Sequence, residues 1–264
     1  MKDLEQIVEE ATHVLRKVGL FIAKERVSFD QRNVEVKGRN DMVSYVDKSA
    51  EEQLIIGLGR IIPECGFITE EEMIEQKEAA YTWIIDPLDG TTNFIHNLPI
   101  YAISVALMRE SALVVGLILE INRQEMFTAI RGKGARLNGQ QISVSSAPSI
   151  MESLIATGFP VKDFEQLDNY LSTIREIVQH SHGLRRGGSA AVDLAYVACG
   201  RYDAFFEYNL NPWDVAAGIL LIQEAGGTVT DFKGGDNMLF GKQILAGGKN
   251  HSELLQLIKK NWSV

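Results

Sequence analysis

Cysteine is nearly absent from this chain. Cys65 and Cys199, far apart in sequence, are the only two among 264 residues. That excludes a disulfide framework as the source of stability, and two thiols in apolar surroundings read as buried and free. Long apolar runs are missing as well. The longest, such as 113–119, fall far short of the roughly 20 residues that span a bilayer. The charged start Met1-Lys2-Asp3-Leu4-Glu5 lacks the apolar core of a signal peptide. Positive charge is in deficit, 26 Lys and Arg against 35 Asp and Glu, for a net −9. That balance argues against nucleic acid or an anionic membrane as the main partner. No repeat, low-complexity tract or proline-rich linker interrupts the chain. What is left is an ordinary globular composition, expected in the cytosol, with length for one large domain or two halves sharing a core.

The apolar spacing predicts a helix over residues 1–26 and a second from about Asp47, ended by Pro63. Residues 27–43, polar and containing Gly38, Arg39 and Asn40, read as a loop or hairpin. Three β-rich runs at 102–108, 113–121 and 125–130, separated by turns, predict a large antiparallel sheet. After Ala147-Pro148-Ser149 the pattern changes. Strand-like runs at 154–157, 203–207, 227–229 and 244–246 alternate with helices at about 163–180, 189–200, 212–225 and 251–261, a βα-layered arrangement. The expected organisation is one compact unit over 1–264. Its half at 1–147 holds the antiparallel sheet and a metal site, and its half at 148–264 closes that site.

The stretch from Trp83 to Phe94 draws the rest together. Trp83-Ile84-Ile85 reads as the end of a buried strand that stops at Asp86-Pro87, because proline has no amide to give a ladder. Asp86 and Asp89 then stand three residues apart where a strand runs out, a usual place for ligands in α/β proteins. Gly90 permits close backbone approach, Thr91 or Thr92 suits the start of a helical turn, and the amides of that turn would face an anion. Two carboxylates beside an anion hole call for a cation between them, which points to a divalent metal with phosphate. Asp-Pro and Asp-Gly are also ordinary turn dipeptides, so this stretch alone leaves the two meanings level.

The longer string Asp86-Pro87-Leu88-Asp89-Gly90-Thr91-Thr92-Asn93-Phe94 resembles the metal-binding signature of the inositol monophosphatase family. Asn211-Pro212-Trp213-Asp214-Val215-Ala216-Ala217-Gly218, followed by Glu224-Ala225-Gly226-Gly227, resembles its second signature. Asp41 to Asp47, Ile68-Thr69-Glu70-Glu71 and Arg186 to Ala191 resemble further segments, in the same order, so the likeness spans about 40–250. It implies an α/β (α+β) fold, a layered αβαβα sandwich. It also implies a Mg²⁺-dependent, lithium-sensitive phosphatase that hydrolyses inositol monophosphate with metal-activated water and is commonly a homodimer.

Carried over residue by residue, the resemblance makes Glu70, Asp86, Asp89, Asp214 and the Leu88 carbonyl the ligands of two or three Mg²⁺ ions. Asp47 and Thr91 become the pair that activates water, with Glu70 helping to hold it. The amides of Gly90 and Thr91 become the phosphate cradle, and Asp89, Ala190, Glu207 and Asp214 face the substrate's hydroxyls. The chemistry agrees, since Mg²⁺ prefers oxygen donors and two ions about 4 Å apart can clamp an in-line displacement. Thr69 departs from the family's usual glycine, and three glutamates follow it, leaving Glu71 open beside Glu70. Lys37 lies near where some members use a lysine to organise an extra metal.

Other residues attract simpler explanations. His180 and His182 suit a helix C-terminus, His96 the surface, Arg185-Arg186 solvent or an interface, and Trp83 and Trp213 the core. Asp214 by itself would be a helix cap. The expected partner is a small sugar or polyol phosphate, with no nucleic acid and no membrane. Alternatives within the superfamily are 3′-phosphoadenosine 5′-phosphate or fructose 1,6-bisphosphate as substrate. Thr92 favours the inositol branch, because nucleotide-directed relatives usually carry lysine there. From another class, a metal-binding interaction or regulatory protein on the same scaffold is the competing reading.

Overall fold

The computed structural model describes residues 3–30, 34–38, 41–71, 79–160 and 164–262, the side chains of 34–38 and 41–43 excepted. Glu72, Arg39 and Asn40, and the side chains of Lys37, Asp41 and Val43, lie outside the described residues. Helix α1 (Leu4–Ser28) buries Ile7, Ala11, Leu15, Val18 and Ile22 along one stripe, the spacing of a helix with a single apolar face. Helix α2 (Tyr45–Ile61) starts where Ser44 and Asp47 cap one another. The Val46 amide donates to the Ser44 hydroxyl and the Ser44 amide to Asp47 Oδ2. Between the helices, β1 (Val34–Gly38) and β2 (Asp41–Ser44) pair as an antiparallel hairpin.

The larger sheet comprises β3 (Gly66–Thr69), β4 (Tyr81–Asp89), β5 (Ala102–Arg109), β6 (Ala112–Glu120), β7 (Glu125–Ile130), β8 (Gly134–Leu137) and β9 (Gln140–Gln141). Its strands lie in chain order and are antiparallel throughout, except that β3 runs parallel to β4. A five-residue helix, α3 (Thr91–Ile95), follows β4. The smaller sheet is built from β10 (Leu154–Thr157), β11 (Gly183–Arg185), β12 (Ala204–Tyr208), β13 (Thr228–Thr230) and β14 (Gln243–Gly247), in the order β11-β10-β12-β14-β13. Strand β10 is parallel to both its neighbours, and β14 is antiparallel to both of its own. Among the described residues the remaining α-helices are α4 (Leu167–His180), α5 (Ala190–Ala198), α6 (Pro212–Glu224) and α7 (His251–Asn261).

Three apolar interiors define the layers. One joins α1 and α2 to a face of the larger sheet, through Leu15, Leu54, Trp83, Val105 and Leu117. The second lies on that sheet's opposite face and sandwiches α5 and α6 between the two sheets, with Ile84, Ile118, Leu194, Leu220 and Phe205. The third packs α4 and α7 on the far face of the smaller sheet, with Ile177, Phe206 and Leu254. The result is an αβαβα sandwich. Because both faces of each sheet are covered, the central strands read as continuous apolar runs rather than alternating ones.

Side-chain alternation along the strands then decides what faces the middle layer. On β4, Trp83 and Ile85 point to the α1–α2 side and Ile84 to the α5–α6 side, so Asp86 falls on the α5–α6 side. Phe205 on β12 faces the same layer and Phe206 the other, which puts Glu207 with Phe205.

Several expectations need correcting. Strand β4 does not stop at Asp86-Pro87 but continues to Asp89. Asp86 is opposite Ser104 and Asp89 opposite Ala102, so three steps on β4 match two on β5. Proline is tolerated because it occupies this bulge rather than a regular rung. Both cysteines are free, yet half-buried rather than buried. Among the described residues no helix is long and apolar enough to cross a membrane. His180 closes α4 with Nδ1 2.8 Å from the Glu176 carbonyl, and the His182 amide donates to Ser153 O, neither beside the acidic site.

Candidate active site

The bulge in β4 is the local feature that makes a site. Side chains three apart on a regular strand point to opposite faces. One extra residue at Pro87-Leu88 restores Asp89 to the face that Asp86 already occupies, a re-aiming for which bulges are suited. Asp214, in the first turn of α6, reaches the same point from the middle layer. Single carboxylate oxygens of Asp86, Asp89 and Asp214 lie within 4.8 Å of one another.

Each acid is held by the backbone around it. Asp86 Oδ1 accepts from the Leu88 amide at 3.0 Å. Asp89 Oδ2 sits at the N-terminus of α5, accepting from the Ser189 hydroxyl at 2.6 Å and the Ala191 amide at 2.7 Å, where the helix dipole favours negative charge. Asp214 Oδ2 accepts from the Asn211 amide at 2.6 Å. The cap position of α6 thus belongs to Asn211, and Asp214 stands three residues further in.

Beside the acids, Thr91 Oγ1 lies 2.9 Å from Asp47 Oδ1 and 2.9 Å from Leu88 O. A hydroxyl has one proton, so it can satisfy only one of these acceptors at a time. If the Leu88 carbonyl turns to a cation, the Thr91 proton stays with Asp47, and the Thr91 oxygen is free to accept from water. Asp47 Oδ2 meanwhile takes the Ser44 amide and hydroxyl at 2.8 and 2.7 Å. Burial raises the Asp47 pKa, and the bonds from Ser44 and Thr91 partly oppose that.

The three acids, Leu88 and Thr91 border one cavity of about 340 Å³, with Asp47 behind Thr91. It is lined by Glu70, Asp86, Leu88, Asp89, Gly90 and Thr91 from one side, and by Gly188, Ser189, Ala190, Asp193, Glu207 and Asp214 from the other. Gly90 precedes α3 at φ +93°, a backbone that side chains disfavour. A Cβ there would also sit 3.0 Å from the Ile100 carbonyl. Glu70 is a lining residue, whereas the Glu71 amide donates to Glu51 Oε2 at 2.9 Å.

The electrostatics are those of crowded acids. Burial first, then Glu70, Asp89 and Asp214, push the Asp86 carboxyl well above the usual range. Burial is also the main cause of the upward shifts at Asp89, Asp193 and Glu207, and the Arg186 guanidinium opposes all three. Grouping anions this closely is costly unless a cation or protons offset them. The donors are oxygens only, the set a hard divalent ion such as Mg²⁺ prefers.

The whole described chain carries a family's pattern: residues 3–263 match the model of the inositol monophosphatase family. The chain belongs to that family. Among relatives of the inositol monophosphatase family, the Nus factor SuhB of Pseudomonas aeruginosa is 43% identical over 249 residues, covering 92% of each chain. Among solved structures, the extragenic suppressor protein suhB of Bartonella henselae aligns with a TM-score of 0.91 at 38% identity, over 97% of this chain and 99% of that one. Inositol monophosphatase from Anabaena aligns at 0.85 with 31% identity, over 98% and 97%.

Family motifs located most of the candidate residues, and the fold brings Asp47, Glu70, Asp86, Leu88, Asp89, Gly90, Thr91, Ala190, Glu207 and Asp214 to one cavity or its immediate wall. Sequence reasoning set Arg186 aside and missed Asp193, Ser189 as a partner of Asp89, and Glu51. Asp193 stands three residues after Ala190 on α5, so helical spacing from a motif residue could have found it.

Proposed function

We infer that this protein is a Mg²⁺-dependent phosphomonoesterase acting on a small polyol phosphate, with inositol monophosphate as the favoured substrate. The observation that carries this reading is the trio Asp86, Asp89 and Asp214, gathered within 4.8 Å beside the Thr91–Asp47 pair in an open cavity. Those three acids, with Glu70 and the Leu88 carbonyl, would hold the metal. Bound Mg²⁺ would lower the pKa of a coordinated water and neutralise the departing alkoxide. The chain's own residues do the rest. Thr91, donating to Asp47, presents its oxygen to the attacking water and relays the proton towards the buried carboxylate. The amides of Gly90 and Thr91 face the phosphate, since first-turn amides lack intrahelical acceptors. Glu207, Asp89, Asp214 and Ala190 address the hydroxyls of the polyol. Hydrolysis is direct, so labelled water should place its oxygen in the released phosphate; a trapped phosphoprotein would refute that step.

The deciding assay is phosphate release from inositol 1-phosphate, with 3′-phosphoadenosine 5′-phosphate and fructose 1,6-bisphosphate in parallel, titrating Mg²⁺ with and without lithium. Turnover that needs Mg²⁺, is suppressed by lithium and is highest on inositol 1-phosphate is expected. Absence of turnover on all three by folded, metal-bound protein would overturn the reading.

The name Nus factor carried by a relative at 43% identity favours a second role, as an interaction protein on the same scaffold. Asp89→Asn separates the two: it should abolish turnover while leaving a pure interaction role intact.

A further inference from the structure

Glu51 is fully buried on α2, at 0 % exposure, one helical turn beyond Asp47 and therefore on the same helical face. Both of its oxygens are engaged by one short segment. The Thr69 hydroxyl donates to Oε1 at 2.9 Å, and the Glu71 amide donates to Oε2 at 2.9 Å. These donors flank Glu70 on either side, at the point where β3 ends. Glu70 lines the cavity and its charge acts on Asp86. One helix thus fixes the Thr91 hydroxyl through Asp47 and the Glu70 segment through Glu51.

A buried polar group is expensive unless it is well hydrogen-bonded, so Glu51 needs the Thr69 hydroxyl and the Glu71 amide, and they in turn are fixed by it. Thr69 gives this a chain-specific form. It stands where the family resemblance leads one to expect glycine, which has no hydroxyl to offer.

We propose that Glu51, with Thr69, is a positioning residue that sets Glu70 at the metal site. The proposal rests on the reading of that site as a divalent-cation phosphatase. Outer residues of this kind typically change metal affinity by 10–100-fold. The test uses Mn²⁺ as the probe, its binding to the full chain followed by electron paramagnetic resonance, with Mg²⁺-dependent phosphate release alongside. Glu51→Gln keeps the shape but turns one acceptor into a donor. It should weaken Mn²⁺ binding about 10-fold and raise the Mg²⁺ needed for half-maximal turnover by the same factor. The KM for inositol 1-phosphate at saturating metal should stay unchanged, a split that general loss of structure would not produce.

Folded Glu51→Gln with wild-type Mn²⁺ affinity would overturn the proposal. Should that variant not fold, Thr69 decides. Thr69→Val should weaken Mn²⁺ binding about threefold, as expected for one lost hydrogen bond, and Thr69→Ser should restore it; Val equal to wild type overturns the proposal. If the wild type binds Mn²⁺ but releases no phosphate, the phosphatase reading falls while the resonance measurement still judges Glu51. A wild type that binds no Mn²⁺ sinks both.

Discussion

Removing divalent metal should make this protein's stability rise on acidification, where that of the metal-loaded protein changes less. Burial, the first cause in each case, raises the carboxyls of Asp86, Asp193 and Glu207 well above their ordinary range and those of Asp47 and Asp89 to a lesser degree. A carboxyl whose folded pKa exceeds its unfolded value binds its proton more readily in the native state. Stability therefore rises as pH falls through the folded pKa, and the gain is complete below the unfolded value of about 4. Each proton taken up only by the folded chain contributes about 1.4 kcal/mol per pH unit. For a chain of this size 1 kcal/mol moves Tm by roughly 2–4 °C. If the cluster takes up one such proton, metal-free protein should gain about 3–6 °C for each pH unit below the folded pKa and above about 4.

Mg²⁺ competes with those protons. At about 100 times its Kd it adds about 2.7 kcal/mol, or roughly 5–11 °C, at pH above the folded pKa, where the carboxylates are ionised. The addition should shrink as acid protonates them, so the two melting curves converge on acidification. Differential scanning fluorimetry after chelation, with and without Mg²⁺, measures both limbs. Parallel curves with one slope would refute the argument, because they would mean that protons and metal do not share a site.

Other perturbations read separate parts of the molecule. Thr91→Val removes the hydroxyl between Asp47 and the cavity and should lower kcat about 10²–10⁴-fold, the usual range for a lost proton relay, with little change in KM. A Cβ at Gly158 would lie 2.1 Å from both Glu207 oxygens. Gly158→Ala should therefore displace that carboxylate and raise KM for inositol 1-phosphate about 10–100-fold, the worth of a hydrogen bond to a charged group; unchanged KM would remove Glu207 from the substrate's surroundings. His251, buried and 3.2 Å from the Thr230 hydroxyl, has its pKa lowered by burial. The unfolded chain then binds the proton first, so this histidine lowers stability as pH falls below about 6.5. His251→Asn should flatten that acid limb, as measured by urea unfolding at pH 7 and pH 5.5.

The parts of the fold that show in the sequence are those with a local cause. Apolar spacing located α1, and Pro63 marked the end of α2. The alternating turns after Arg109, Ile121 and Ile130 delivered the antiparallel strands β5 to β7. What was not legible depends on pairing between distant segments. Pro87 looked like a stop because proline cannot donate to a ladder, but only the partner β5 reveals that it fills a bulge. Arg186 looked like a solvated residue at a glycine turn, and its effect on three acids appears once α5 is seated between the sheets. Glu51 carried no motif at all. Its partners are 18 and 20 residues away, across a gap that helical periodicity does not report.

Dependence on distant segments also makes the site vulnerable. Its oxygens come from β4, from the ends of β3 and β12, and from the first turn of α6, with α2 and α5 supporting them from opposite sides. No single element contains the site, so the distance between the acids is set by how α6 lies between the sheets. Deleting side-chain volume in that layer, at Leu194 or Leu220, leaves a cavity that the surroundings fill only in part, typically at about 2–5 kcal/mol for Leu→Ala. Any partial collapse moves Asp214 relative to Asp86 and Asp89, while the hydrogen bond between Thr91 and Asp47, made within the α2–α3 side, is left in place. Leu220→Ala should therefore lose Mn²⁺ affinity along with stability, and lose more affinity than Leu54→Ala, which opens a void on the α1–α2 side. Equal losses of affinity from the two voids would show that the seat of α6 does not set the spacing of the acids.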